Sequence, residues 1–163
     1  MEKDPKKSKE LAQNRRKAYR KLTNRLGKMP AKKLDPLFHD LHDEVFEEMD
    51  CLICANCCKT TSPLFINKDV ERIAAHLGMK AYDFEKKYLR TDEDGDLVFQ
   101  QAPCPFLGED NYCSIYSVRP RACREYPHTN RKNMYQILDL TFKNTRVCPA
   151  VLEIFERLPQ KLD

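Results

Sequence analysis

Cys51, Cys54, Cys57 and Cys58 fall within eight consecutive positions, CLICANCC, and Cys104, Cys113, Cys123 and Cys148 complete the eight cysteines of the chain. A Cys-x-x-Cys spacing lets two thiolates converge on one ion while the intervening amides point at the sulfurs and lower their pKa. That spacing runs from Cys51 to Cys54 and again to Cys57, and Cys58 follows at once. Side chains of adjacent residues point in different directions, so Cys57 and Cys58 are expected to serve different metals or different edges of one cluster. Eight ligands then divide into two four-thiolate sites or form one polynuclear site.

The spacing also bears on the metal. Four-cysteine zinc sites are commonly built from two separated Cys-x-x-Cys knuckles, whereas the distal cysteines here are separated by eight, nine and twenty-four residues and make no second knuckle. Three cysteines two residues apart, with a remote fourth followed by proline, is the bacterial ferredoxin arrangement. Cys51, Cys54 and Cys57 match its first part, and both Cys104-Pro105 and Cys148-Pro149 could supply the second. The spacing leans toward an iron-sulfur cluster of the 4Fe-4S kind; zinc with scattered ligands and iron bound without sulfide stay open.

Disulfides are the competing reading of eight cysteines. The start, MEKDPKKSKE, has no apolar stretch behind it, and no segment nears the roughly 20 apolar residues of a spanning helix. The chain is therefore expected in the cytoplasm, where thiols are held reduced and cysteine-rich patterns point to metal or catalysis. Four-thiolate sites on dications would each carry a negative charge that attracts cations and hydrogen-bond donors. Arg119, Arg121 and Arg124 surround Cys123, and Arg146 sits two residues before Cys148.

The elements that must position these residues follow from length, charge and periodicity. At 163 residues the chain suits one ordinary domain with an appendage. Residues 1–33 hold 13 Lys or Arg against three acids, while the net charge of the whole is only +4, so a basic arm precedes a mildly acidic body. Leu11, Ala18, Tyr19, Leu22 and Leu26 give the arm a narrow helical stripe, with Gly27 and Pro30 as stops. Leu37, Leu41, Val45 and Met49 predict a second helix capped by Asp35 with Pro36 at its first position. INKDVERIAAHLG and KAYDFEKKYL predict two further helices, Leu97 to Gln101 a short strand after the Asp94-Gly95 turn, MYQILDLTF a strand, and AVLEIFERL a terminal helix. The expected fold is α+β, predominantly helical, with a loop-rich, metal-stapled cysteine-cluster core and a few short strands. The expected division is a basic helical extension over 1–48 and a cysteine-cluster metal-binding domain with its C-terminal helix over 49–163.

CLICANCC, then PCPFL, then CSIYSVRPRACREYP, then a last CP, in that order, resemble the CxxCxxCC family of zinc- or iron-chelating proteins, also called the YkgJ cysteine-cluster family. The resemblance spans about residues 49–150 and implies that all eight cysteines are ligand candidates. Pro105, Phe106, Tyr116, Arg119, Pro120, Arg124 and Pro127 also match its motifs, which makes Tyr116, Arg119 and Arg124 candidates to support the bound cofactor. Many members carry glycine where this chain has Ala55 and Asn56. Flagellin lysine methylases contain a related cluster, so the resemblance admits a redox or methyl-transfer role.

The chain's own residues supply little catalytic machinery. Gly27, Gly78, Gly95 and Gly108 stand far apart and form no nucleotide loop, and Ser114 has no evident base. His39 and His42 are three apart on the second helix and could share a metal, but without a suitable carboxylate they read as polar surface; His76 and His128 are weak candidates. Three functions compete: a zinc or iron-sulfur centre supporting a redox or modification reaction, a structural metal module that binds a protein partner, and a basic arm that binds nucleic acid or an acidic partner.

Overall fold

The structure, a computed structural model, describes residues 3–162. In chain order its helices are α1 (Pro5–Asn14), α2 (Arg16–Leu26), α3 (Ala31–Glu48), α4 (Cys51–Cys54), α5 (Asn56–Thr60), α6 (Asn67–His76) and α7 (Ala81–Tyr88), followed after the strands β1 (Leu89–Thr91) and β2 (Leu97–Phe99) by α8 (Arg121–Glu125), α9 (Leu138–Asn144) and α10 (Pro149–Leu162). Single 3₁₀ turns cover Tyr116–Val118 and Met134–Ile137. The fold is thus mostly helical α+β with one small antiparallel sheet among the described residues. None of its described helices is long and apolar enough to cross a membrane.

The chain forms two compact units, one of Met1–Cys54 with Pro127–Asp163 and one of Ala55–Tyr126. In the first, the basic segment is ordered helix with a buried face. Asp4 accepts the Lys6 amide at 2.8 Å to cap α1, with Pro5 in its first turn. Helix α2 stops at Gly27 and buries Tyr19, Thr23 and Leu26, a four-then-three spacing that faces the core. Helices α3 and α10 supply most of the rest, through Leu34, Phe38, Leu41 and Val45 on one and Ala150, Val151, Ile154, Phe155 and Leu158 on the other, all fully buried.

Two elements differ from expectation. Helix α3 begins at Ala31 after Pro30, one turn before the expected start, so Pro36 lies inside it. The extra turn buries Leu34 completely, worth about 1.5–3 kcal/mol against the hydrogen bond that proline removes. Asp35 then lies within the helix and its carboxylate accepts the amides of Asn133 and Met134 at 2.8 and 2.9 Å. MYQILDLTF is the second correction, a 3₁₀ turn leading into α9 where a strand is expected. Its buried apolar residues, Met134, Leu138 and Phe142, recur every four positions and so share one side of a helix.

The second unit packs α6 and α7 on the hairpin β1–β2, in which Leu89 pairs with Phe99, Arg90 with Val98 and Thr91 with Leu97. Asp92 turns the hairpin by accepting the amides of Asp94 and Asp96, with Gly95 at φ 85°. Phe65, Ile73, Phe84, Leu89, Phe99, Phe106 and Ile115 fill the core, with Phe65 edge-on to Phe99 at 4.8 Å. Cys104 and Cys113 pack against this cluster.

Candidate metal centre

Within the second unit, four separate segments bring cysteines together. Helix α5 carries Cys57 and Cys58 and is entered through Ala55 at φ 45°, a left-handed conformation costly for any residue with a Cβ. The Cys58 carbonyl accepts the Cys104 amide at 2.8 Å, tying that helix to the next cysteine. Residues 104–113 fold back on themselves, with a bridge from Leu107 to Cys113 and the Ser114 amide donating to the Phe106 carbonyl at 2.9 Å. Cys123 stands on α8.

The sulfurs of this set sense one another. The Cys57–Cys58 side-chain hydrogen bond, with help from Lys59, draws Cys58 down to about 7 despite its burial. Burial pushes Cys104 up to about 11, against the amide of Phe106 that donates to its sulfur, and Cys113 and Cys58 push it further. Cys113 is raised by burial too, with the amide of Ile115 opposing and Cys58 adding. Cys123 reaches about 12, first from desolvation and then from Cys58, Cys104 and Cys113. Although the Cys123 residue is exposed at its outer side, enough protein crowds its sulfur to disfavour the thiolate. Cys58, Cys104, Cys113 and Cys123 are therefore mutual neighbours, and ionising them together is opposed until a cation is present.

The first unit holds the remaining three cysteines. Cys51 and Cys54 are the two ends of α4, and Cys148 immediately precedes α10. Burial raises Cys148 to about 12 while the Val151 and Ala150 amides donate to its sulfur, and Cys51 and Cys54 act on it as neighbouring negative charges. Of the two Cys-Pro pairs, Cys148-Pro149 is thus the one beside Cys51 and Cys54, whereas Cys104-Pro105 belongs with Cys58, Cys113 and Cys123.

One local geometry recurs. At Cys104, Cys113 and Cys148 the amide two residues on, of Phe106, Ile115 and Ala150, points at the sulfur. Such amides favour thiolate and are the usual support of metal-bound sulfur. None of the eight cysteines is in a disulfide, which leaves every sulfur able to serve as a thiolate ligand. Among the described residues the side chains are neighbours without closing a cage, for no three His, Cys, Asp or Glu groups converge as metal ligands do. The donor chemistry fits zinc or iron.

A family comparison bears on the segment that holds these cysteines. The model of the CxxCxxCC family, described as "Putative zinc- or iron-chelating domain", matches residues 50–148. The chain belongs to the CxxCxxCC family. Its coarse function is accordingly the family's, chelation of zinc or iron. No solved structure matches the chain.

The other candidates of this CxxCxxCC protein fall in different places. Arg119 is near enough to favour the thiolates of Cys113 and Cys123. Its guanidinium lies over the Tyr116 ring at 3.8 Å and donates to the Tyr116 carbonyl at 2.7 Å. Tyr116 thus orients Arg119. Arg124 has no side-chain bond to a cysteine among the described residues, and Arg121 pairs with Glu125 at 2.6 Å on the surface. His39 meets the Arg131 carbonyl at 2.9 Å and His42 meets the Thr129 hydroxyl at 2.7 Å, so both engage backbone or hydroxyl oxygen.

Two residues outside the motif reading matter for Cys123. Asp69 is 1% exposed and its carboxylate takes the Arg72 guanidinium at 2.7 Å and the Arg121 amide at 3.2 Å. Arg72 in turn donates to the carbonyls of Val118 at 3.3 Å and Arg119 at 2.9 Å. This pair, with Asp69 buried and Arg72 half-buried, fixes the chain just before α8 and so places Cys123. The available signal was an acid and an arginine three apart on α6, a spacing that also suits an ordinary surface pair.

Proposed function

We propose that this chain chelates zinc or iron with cysteine thiolates in two ligand sets, and that the metal staples loops which the apolar cores leave unsecured. Cys58, Cys104, Cys113 and Cys123 make one set, with Cys57 bonded beside it; Cys51, Cys54 and Cys148 contribute to the other. The observation that carries this reading is that four segments of one unit bring their cysteines near one another, with the Cys104 amide on the Cys58 carbonyl at 2.8 Å, Cys113 bridged to Leu107, and Cys123 close enough to feel the charge of the other three. Residues 100–120 have turns and one 3₁₀ segment in place of longer elements, and thiolate–metal bonds would supply the order that hydrogen-bonded ladders supply elsewhere. A bound metal provides binding energy to folding, about 10–16 kcal/mol for small zinc modules. The cytoplasm, where thiols persist, is the compartment that suits such a protein.

An iron-sulfur centre is the finer reading for Cys51, Cys54 and Cys148, because Cys148-Pro149 beside a Cys-x-x-Cys pair reproduces part of the ferredoxin ligand pattern. A redox or modification-accessory role is the second reading, favoured by the exposure of Cys51 and Cys123. Anaerobic purification followed by metal and acid-labile sulfide analysis tests both. Cys123→Ser is expected to lose one metal equivalent and keep the other, and Cys148→Ser to do the converse. Loss of the same single equivalent from both variants would refute the two-set allocation. Iron with matching sulfide and absorption that bleaches on reduction supports the redox reading, and colourless stoichiometric zinc removes it.

A further inference from the structure

The basic segment carries a feature that the cysteine chemistry leaves unused. Between α2 and α9 lies an open cavity of about 340 Å³ lined by Arg16, Lys17, Arg20, Lys21 and Phe142. Arg16 and Arg20, and Lys17 and Lys21, are each four residues apart, about 6 Å along the axis, so four cations form two adjacent rows. Arg16, Lys17 and Lys21 have no ion pair among the described residues. Arg20 is paired with Asp139 at 2.5 Å, the one acid that ion-pairs with these four among the described residues, and its guanidinium lies over the Phe142 ring at 4.1 Å.

These residues are mounted on a fixed frame. Tyr19, Leu26 and Phe142 are buried, and the first two face the core from the same helix that presents the cations outward. Holding like charges unpaired beside one another raises the repulsion within the helix, which a polyanion would relieve. The Arg20 guanidinium lies over the Phe142 ring and its side chain is 44% exposed, which leaves part of its surface to meet a second flat group.

We infer that this groove binds the phosphodiester backbone of single-stranded nucleic acid, with Arg16, Lys17 and Lys21 on phosphates and Arg20 offering its exposed surface to a base. Rows of cations beside a planar stacking surface are the combination single strands use. The openness of the groove suits a polymer passing along it, because a lone small anion there would keep most of its water. A membrane surface gains nothing from Phe142, which is only 7% exposed and cannot insert.

The test is fluorescence anisotropy of a labelled oligouridylate 12-mer with the full chain, titrated at several salt concentrations. Three phosphate contacts on a single strand give a slope of log K against log salt of about −2.1, so affinity falls roughly 18-fold between 50 and 200 mM salt. Arg16→Gln/Lys17→Gln/Lys21→Gln, which removes all three phosphate contacts, is expected to bring the slope close to zero and to abolish most of that fall. Lys6→Gln/Lys7→Gln/Lys9→Gln, which removes the same charge from exposed positions of α1, is expected to leave the slope near its original value. Arg20→Lys keeps the charge and loses the plane, and is expected to weaken binding about fivefold at unchanged slope. All substituted side chains are exposed or half-exposed, and the wild-type slope needs no variant. A wild-type slope near zero, equal losses from the two triple variants, or equal affinity for a heparin fragment of matched charge would each overturn the assignment.

Discussion

Asp35→Ala should destabilise the first unit, and the size of the effect follows from where its carboxylate points. The side chain accepts two backbone amides from the turn that begins at Asn133 and Met134, at 2.8 and 2.9 Å. These bonds hold Asn133 in the left-handed region at φ 61° and seat the fully buried Met134. Two amide donors on a carboxylate would contribute about 3–6 kcal/mol if wholly buried, but Asp35 keeps one side toward water and most of that is screened. Alanine also recovers up to about 0.7 kcal/mol of helix propensity. The net expectation is a loss of about 1–2 kcal/mol at pH 7, read as a lower urea midpoint by far-UV circular dichroism. The Met134 and Asn133 amide bonds hold the Asp35 carboxyl below its ordinary value. Its contribution is accordingly complete above about pH 4 and is lost as pH falls through the depressed native value. The gap between wild type and variant should therefore narrow on acidification from pH 7 toward about pH 2. A midpoint unchanged at pH 7, or a gap undiminished at the acid end, would refute this account of the turn.

Two further substitutions probe the scaffold of the cysteines. Asp69→Ala removes a buried acceptor shared by Arg72 and the Arg121 amide; a loss of about 2–4 kcal/mol is expected, with weaker metal retention in a chelator competition because the segment before Cys123 loosens, and Asp69→Asn should recover part of both. Ala55→Gly relieves the left-handed backbone at φ 45°, worth about 1–2 kcal/mol, against about 0.4–1 kcal/mol of added unfolded-state entropy. A small rise in the urea midpoint is expected, and a fall would show that the Ala55 methyl, buried in place, matters more than its strain.

The sequence was most legible where one period dominates. INKDVERIAAHLG, KAYDFEKKYL and AVLEIFERL give helices α6, α7 and α10 because each carries a single apolar face bounded by a glycine, a turn or a proline. MYQILDLTF misled because β-branched and apolar types suit a strand, while the deciding fact is the four-residue recurrence of Met134, Leu138 and Phe142. Asp35-Pro36 misled for a related reason. Local capping chemistry favours a start there, but burial of Leu34 and the distant amides of residues 133 and 134 outweigh it, and neither is visible in a short window.

The cysteines show the same divide between local and distant information. The two Cys-Pro pairs are equivalent in sequence, and the ferredoxin pattern accepts either. Locally they are alike in the structure as well, since Phe106 follows Cys104 and Ala150 follows Cys148 with an amide aimed at the sulfur in both. What separates them is the element each adjoins. Cys148 adjoins α10, whose buried face belongs to the core of the first unit, and Cys104 adjoins Phe106, which belongs to the aromatic core of the second. Cys148 is thereby carried to Cys51 and Cys54, and Cys104 to Cys58, Cys113 and Cys123. Sulfur chemistry makes each cysteine competent, while apolar packing chooses its neighbours; the choice rests on residues such as Phe106 and Val151 that carry no metal-binding chemistry of their own.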